Sequence, residues 1–302
     1  AGVKVFMGAS TGDLLVSDDA TLLEVLRHGR RRVAIHAEDE ERMRERKHLT
    51  DSGDVRQHPH WRDAEAALRA TTRAVRLARQ AGRLIHILHV TTADEMRFLA
   101  AHKDIASVET TPQHLTLAAP ECYEALGTLA QMNPPIRDAE HRAGLWWGVS
   151  AGIVDVIGSD HAPHTREEKA KPYPSSPSGM TGVQTLLPLL LDHVHAGRLT
   201  LARLVDLTSA GAQRIFGLAA KGRLAAGYDA DFTIVDLKQQ WTITDDWIAS
   251  RCGWTPFAGR SVTGKPVGTV IRGRRVMWEG ALLGAPAGAP LRFDGTLSAA
   301  SD

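Results

Sequence analysis

The chain reads as an α/β protein: a partial (β/α)8 barrel of TIM type over residues 1–220, then part of a small β domain and a C-terminal tail over residues 221–302. Three observations carry this reading. Apolar, β-branched runs alternate with helix-period patterns from Val3 to Ile215, which implies βαβ units and a parallel sheet. Polar residues stand just past several of these runs, where a β/α barrel builds its active site. From Lys221 the texture changes to short strands punctuated by Gly222, Gly227, Gly264, Gly268, Gly273 and Gly280, the pattern of an antiparallel appendage.

The elements follow in order. Val3 to Met7 is a strand, Asp19 to His28 a helix, and Arg32 to Ile35 the next strand. Trp61 to Ala81 carries Ala66, Ala67, Ala70, Ala74, Val75, Leu77 and Ala78 at helical spacing and stops at Gly82, a residue suited to a helix end. Leu84 to Val90 is a strand, Asp94 to His102 a helix, and Ala106 to Glu109 a strand. Glu140 to Ala151 is a helix before the strand Val154 to Ile157, and Leu186 to Ala196 and Leu201 to Ile215 are further helices. About five βα units are visible, too few to close an eight-stranded barrel. Ala1-Gly2-Val3-Lys4-Val5-Phe6-Met7 already reads as a strand in mid-fold, so the expectation is that the N-terminal strands of a longer protein are missing from this chain. Beyond Lys221, strands are expected at Phe232 to Val235, Gly268 to Ile271 and Arg275 to Trp278, with a loosely held tail after Pro286.

Composition narrows the function classes. The 36 basic and 35 acidic residues nearly cancel, which argues against nucleic acid or an anionic membrane as partner. The dense charge runs, Arg27 to Arg32 and Glu38 to Lys47, read as solvated helix faces. Cys122 and Cys252 form no CxxC pair, so a disulfide framework or thiolate metal site is not expected, and a reducing cytoplasm is. The longest apolar stretch, Leu186 to Leu191, is too short to span a bilayer, and no secretory signal opens the chain.

Val156 to His164, VIGSDHAPH, is the most informative segment. Asp160 follows a buried-strand pattern and is placed where a carboxylate can hold a metal or move a proton; Asp and His also cap helices and close turns. Lys4 lies within the run Val3 to Phe6, His36 follows Val33 to Ile35, and His89 follows Leu84 to Leu88. Burying an unpaired ammonium costs several kcal/mol, on the order of the penalty for a lone buried ion, so Lys4 should be paired or chemically altered. His36 or His89 alone would pass for a core histidine. Converging on one barrel mouth with Asp160, they suit zinc or a similar divalent ion.

On these residues the chain resembles the amidohydrolase superfamily, and within it the dihydroorotases. The matching stretches are GVKVFMGASTGD (2–13), AIHAED (34–39), HILHVTT (86–92), QMNPPIRD (131–138), GSDHAPH (158–164), SPSGMTG (176–182), KGRLAAGYDADFTIVD (221–236) and SRCGWTPFAG (250–259). DHAPH with NPPxR is specific, whereas GYDADFTIVD marks only the broad superfamily. The resemblance implies two divalent metal ions, zinc being expected, bridged by a carbamylated Lys4. It makes His36 and His89 ligands of one metal, and Asp160 a ligand of the other that also shuttles a proton. It gives Asn133, His164, Ser178 and Gly179 contacts to a small-molecule substrate, and it implies a cytoplasmic homo-oligomer, a dimer.

Two departures stand out. The family's first strand carries His-x-His, and the candidate weighed for it here is His58-Pro59-His60, in loop-like surroundings where Pro breaks strand pairing. Gln113 stands where relatives often have a second His before His114. Arg137 is expected to hold its own loop rather than the substrate, and His161 to stand behind the metal ligands. The implied activity is the reversible hydrolysis of L-dihydroorotate to N-carbamoyl-L-aspartate in pyrimidine biosynthesis. A hydantoinase- or allantoinase-like cyclic amidohydrolase and a non-catalytic dihydroorotase-like subunit are the alternatives, and the chain alone is expected to be inactive.

Overall fold

The computed structural model describes residues 1–10 and 14–294. Strands β1 (Val3–Phe6), β2 (Val33–His36), β3 (Ile85–Ile87), β4 (Ala106–Thr110) and β5 (Val156–Ile157) form one sheet in chain order, each pair parallel. Unbroken sequential order is the wall of a β/α barrel; a doubly wound sheet would reverse direction at its centre. The partial barrel is the observed architecture.

Between the strands run α1 (Asp19–Arg27), α2 (Glu40–Glu45), α3 (His58–Trp61), α4 (Ala64–Ala81), α5 (Ala93–Ala100), α6 (Pro112–Thr116), α7 (Glu121–Leu126) and α8 (Ala139–Ser150). The longer helices start on side-chain caps: Asp18 accepts from the Thr21 amide, Asp63 from Ala66, Thr92 from Glu95 and Asp138 from His141. On α4 the alanines at 66, 67, 70, 74 and 78 are buried with Val75 and Leu77, and Gly82 ends the helix in the left-handed region at φ 63°. Helices α5 and α8 meet through Gly144 and Gly148: a Cβ at 144 would stand 2.3 Å from that of Ala93. The core beneath them includes Val5, Ile35, Ile85, Ile87, Val108, Met96 and Leu99.

Several expectations need correction. The stretch Glu38 to Lys47 is not simply a solvated face, because Glu38 is fully buried. His58-Pro59-His60 is helical rather than loop, with Pro59 in the first turn where its missing N–H costs nothing. Lys4 is exposed rather than enclosed by its strand neighbours, and its ammonium is only partly desolvated by the protein around it, so the expected burial penalty is reduced but not removed.

After β5 come α9 (Arg166–Lys169), whose Thr165 and Glu168 form a capping box, and α10 (Leu186–His195). The helix expected from Leu201 to Ile215 divides into α11 (Leu201–Val205), a π turn over Asp206–Ala210 and α12 (Gly211–Phe216). The second sheet is antiparallel: β6 (Phe232–Thr242), β7 (Ser261–Ile271), β8 (Arg274–Trp278) and β9 (Ala281–Leu282). Arg272-Gly273 and Glu279-Gly280 have positive φ at both positions, the geometry of tight hairpin turns that match strand twist. The tail is not wholly loose: Phe293 pairs with Leu218, and the Ala219 amide donates to Arg292. Residues 295–302 lie outside the described residues.

Two compact units result. One comprises Gly2–Leu186 with Thr244–Ala258, and the other Ala1, Leu187–Ile243 and the chain from Gly259. Among the described residues no helix is long and apolar enough to cross a membrane.

Candidate active site

The first half of the site is an imidazole pair. His36 ends β2 and His89 follows β3, and Nδ1 of His36 faces Nε2 of His89 at 3.0 Å. Both rings are buried. Burial lowers both pKa values, and for His89 the His36 ring and the Lys4 ammonium add to the effect. Two neutral imidazoles are therefore available as ligands. Nε2 of His36 lies 2.8 Å from Glu38 Oε2, and the same carboxylate oxygen accepts from Arg62 Nη2 at 2.5 Å. Burial opposes the Glu38 charge, but Arg62 and His36 overcome it and hold the carboxyl well below its usual range. A carboxylate this close to Nε2 favours the proton there, as behind metal-bound histidines, and leaves Nδ1 to accept from His89 Nε2. Nδ1 of His89 has no hydrogen-bond partner among the described residues.

Lys4 and Asp160 come from the two edge strands of the parallel sheet, yet their charges act on each other. The sheet therefore curls like a barrel wall and brings its edges to one mouth. Burial lowers the Lys4 pKa, against the opposing pull of Asp160 and Glu109. Burial pushes Asp160 up to about 6, Lys4 opposes it, and Glu109 adds to it. His89 and Asp160 both have positive φ, 37° and 41°, and Glu109 Oε1 accepts from the His89 amide at 3.3 Å. Gln113, at the position of the missing second His, donates from Nε2 to the Ser159 carbonyl at 2.7 Å, bracing the segment that carries Asp160.

The second half surrounds the loop Gln131 to Asn133. His164 Nε2 lies 3.2 Å from the Ser178 carbonyl, Gln131 Nε2 donates to Ser178 Oγ at 3.1 Å, and the Gly179 amide donates to the Gln131 carbonyl at 2.9 Å. Gly179 is required: at φ 136° an added Cβ would stand 2.5 Å from the Ala162 carbonyl oxygen. Beneath the loop the fully buried Lys169 donates to the carbonyls of Gln131 (3.0 Å) and Pro177 (2.8 Å), and burial pushes its pKa down to about 7. Asn133, half-buried, is bonded to His58 and Ser10. Ala9, next to Ser10, accepts from Arg62, so a continuous chain of contacts joins Asn133 to the His36–His89 pair.

Other expected residues fall elsewhere. Arg137 is buried and donates to Thr91 Oγ1 and to the carbonyls of Pro59, Arg62 and Asp63, so it ties loops together. His161 is exposed and accepts from the Gly182 amide through Nδ1 at 3.1 Å. His60 lies exposed on α3, whereas His36 and His89 are buried. Glu38, Arg62 and His114 were not legible as site residues. His114, pushed down to about 4 by burial, lies 3.0 Å through Nε2 from the Pro134 carbonyl and so steadies the NPP loop.

The sequence profile of the Amidohydrolase family matches residues 8–276. The chain belongs to the amidohydrolase family. This amidohydrolase is 39% identical over 280 residues to a dihydroorotase of Halobacterium salinarum, covering 92% of this chain and 64% of that protein. It is 36% identical over 300 residues to an allantoinase of Rubrobacter xylanophilus, covering 95% of this chain and 66% of that protein. Among solved structures it resembles the L-hydantoinase (dihydropyrimidinase) of Arthrobacter aurescens with a TM-score of 0.86 and 29% identity, covering 93% of this chain and 65% of that one. The amidohydrolase thus spans about two thirds of the length of these relatives. Members of the family are hydrolases that work with a divalent metal ion. Among the described residues no three His, Cys, Asp or Glu side chains form a group able to hold an ion. The donors nevertheless fit one in kind: two facing neutral imidazoles, a carboxylate at the same mouth, and a lysine that becomes a ligand only once its charge is changed.

Proposed function

We propose that this amidohydrolase acts on a cyclic amide, L-dihydroorotate, opening it reversibly to N-carbamoyl-L-aspartate. The observation that carries the hydrolytic chemistry is the pair of neutral imidazole nitrogens, His36 Nδ1 and His89 Nε2, 3.0 Å apart at the mouth that also holds Asp160. The choice of dihydroorotate rests on the similarity to curated dihydroorotases together with Asn133 and His164 on the substrate side.

His36, His89, Asp160 and Lys4 would hold two divalent ions, zinc being the metal the nitrogen and oxygen donors suit. For Lys4 to serve as a ligand its amine would attack dissolved CO2, forming an N–C bond and releasing a proton, which would give a carbamate anion. Partial desolvation of the ammonium lowers its pKa towards the neutral amine this needs, and the exposure of the residue leaves it open to CO2. When bound, the ions supply Lewis-acid polarisation of the amide carbonyl and acidify the attacking water. Asp160 accepts a proton from that water and passes it to the leaving ring nitrogen as the C–N bond breaks. With the protein's own groups setting its pKa near 6, the carboxyl is mostly ionised at neutral pH. Asn133 and His164 orient the ring, and Ser178 and Gly179 contact it through backbone groups. A cytoplasmic location and a dimer accompany this reading.

The test is turnover of dihydroorotate, hydantoin and allantoin side by side by the protein in its full-length form, with its metal content measured. A clear preference for allantoin or hydantoin would overturn the substrate assignment, and the allantoinase relative makes allantoin the serious competitor. Carbamylation is tested by Lys4→Ala: unchanged metal stoichiometry would refute it.

A further inference from the structure

His58 belongs to the His-Pro-His motif that the metal chemistry leaves unused, and it is fully buried. Nε2 lies 3.0 Å from the Met132 carbonyl and 3.0 Å from Asn133 Oδ1, while Nδ1 lies 3.4 Å from the Tyr173 hydroxyl. A backbone carbonyl can only accept, so Nε2 must carry the proton. That proton is then presented to the Asn133 side chain as well, and only the amide oxygen can face it without two donors colliding. The Asn133 NH2 group is thereby turned away from His58, towards Ser10 Oγ at 3.4 Å. Nδ1 is left as an acceptor for the Tyr173 hydroxyl. Burial keeps the ring neutral, its pKa pushed down to about 3, so the arrangement holds across the physiological range.

We propose that His58 is a positioning residue that fixes the Asn133 amide with its NH2 edge turned away from the ring, one N–H held by Ser10 Oγ and the other offered to the substrate, so that this position reads a hydrogen-bond acceptor and rejects a donor. The inference rests on the reading of Asn133 as a substrate contact, and it adds which chemical group the residue selects: a carboxylate or carbonyl oxygen of the ring compound, not a ring N–H. A flipped amide would select the reverse. His58 touches neither metal donors nor reacting atoms; it acts through Asn133.

Two measurements on the full-length, metal-loaded protein test this. In long-range 1H–15N spectra the His58 ring should show a proton on Nε2 alone and no titration between about pH 5 and pH 8. A proton on Nδ1, or titration near the ordinary histidine pKa, overturns the proposal without reference to any substrate. In kinetics, His58→Gln retains an N–H near the Nε2 position, whereas His58→Leu removes it. The leucine variant should raise KM about three- to tenfold, the size of one lost neutral hydrogen bond, with unchanged metal content and little change in kcat. The glutamine variant should stay within about twofold of the parent. Equal KM for the parent and the leucine variant, or a loss confined to kcat, overturns the proposal. If dihydroorotate is not turned over at all, the substrate assignment fails; KM is then read on whichever ring the protein accepts, and the tautomer result stands independently.

Discussion

In the proposed reaction Asp160 moves the proton, and its surroundings do two opposing things. Burial raises its pKa while Lys4 lowers it, leaving a carboxylate that is charged at neutral pH yet basic enough to take a proton. Asp160→Ala should reduce kcat of the full-length protein by on the order of a thousandfold, from the loss of acid–base catalysis together with a ligand; steady-state turnover checks this, and a loss below about tenfold would remove Asp160 from the proton path. Glu38 is a second residue with an outsized role. Its carboxylate is shared by buried Arg62 and His36, so Glu38→Gln strands a guanidinium charge in the interior. The expected cost is about 3–5 kcal/mol in urea unfolding, accompanied by weaker metal retention as His36 loses its anchor. The double variant Glu38→Gln/Arg62→Met should recover part of the stability but not the metal affinity, a split that a purely structural ion pair would not produce.

At the level of elements, the approach of α5 to α8 is an exacting contact near the site. Gly144→Val places a Cβ against Ala93, at the first residue of α5 and only four residues beyond His89. The expected destabilisation is about 1–3 kcal/mol, read as a lowered urea midpoint; an unchanged midpoint would mean the helices separate freely. The sequence made the long elements plain because their periodicity is local: the alanine stripe of α4 and the β-branched runs of β1 to β5 need no partner to be recognised. Gly273 and Gly280 marked the two tight hairpins for the same reason. The short helices between residues 40 and 62 were obscure because distant contacts hold them, such as Trp61 Nε1 donating to the Met43 carbonyl and Arg42 pairing with Asp63. Glu38 was hidden likewise: in sequence it opens a charge run, and only Arg62, 24 residues on, makes it an interior residue. His36, His89 and Asp160 could be read because strand ends advertise them. The orientation of Asn133 could not, since it depends on a tautomer fixed by the Met132 backbone.

For the whole molecule, buried titratable groups set the pH dependence of stability. Burial pushes His58 and His114 down to about 3 and about 4 from the ordinary 6.5. Between those limits the unfolded chain binds the extra protons, so their stabilising contribution is complete above about pH 6.5 and is lost as pH falls towards 4. Lys169, pushed from 10.5 down to about 7, has the same sign over a higher window: the unfolded chain binds the proton between about 7 and 10.5, and stability rises with pH there. Urea midpoints should therefore climb from pH 4 to 6.5, and Lys169→Met should flatten the slope above pH 7. A parent midpoint flat across the acid window would contradict the burial of the two histidines.

The left-handed backbones at His89 and Asp160 set the interests of the fold against those of the site. Glycine would occupy either position with less backbone strain, of order 1 kcal/mol each. Under selection for thermal tolerance alone, a population of variants should drift towards glycine at 160, gaining melting temperature as it sheds turnover. On the proposed reading catalysis is what requires aspartate there, and a library scored separately for heat resistance and for activity should show the two pressures parting at this codon.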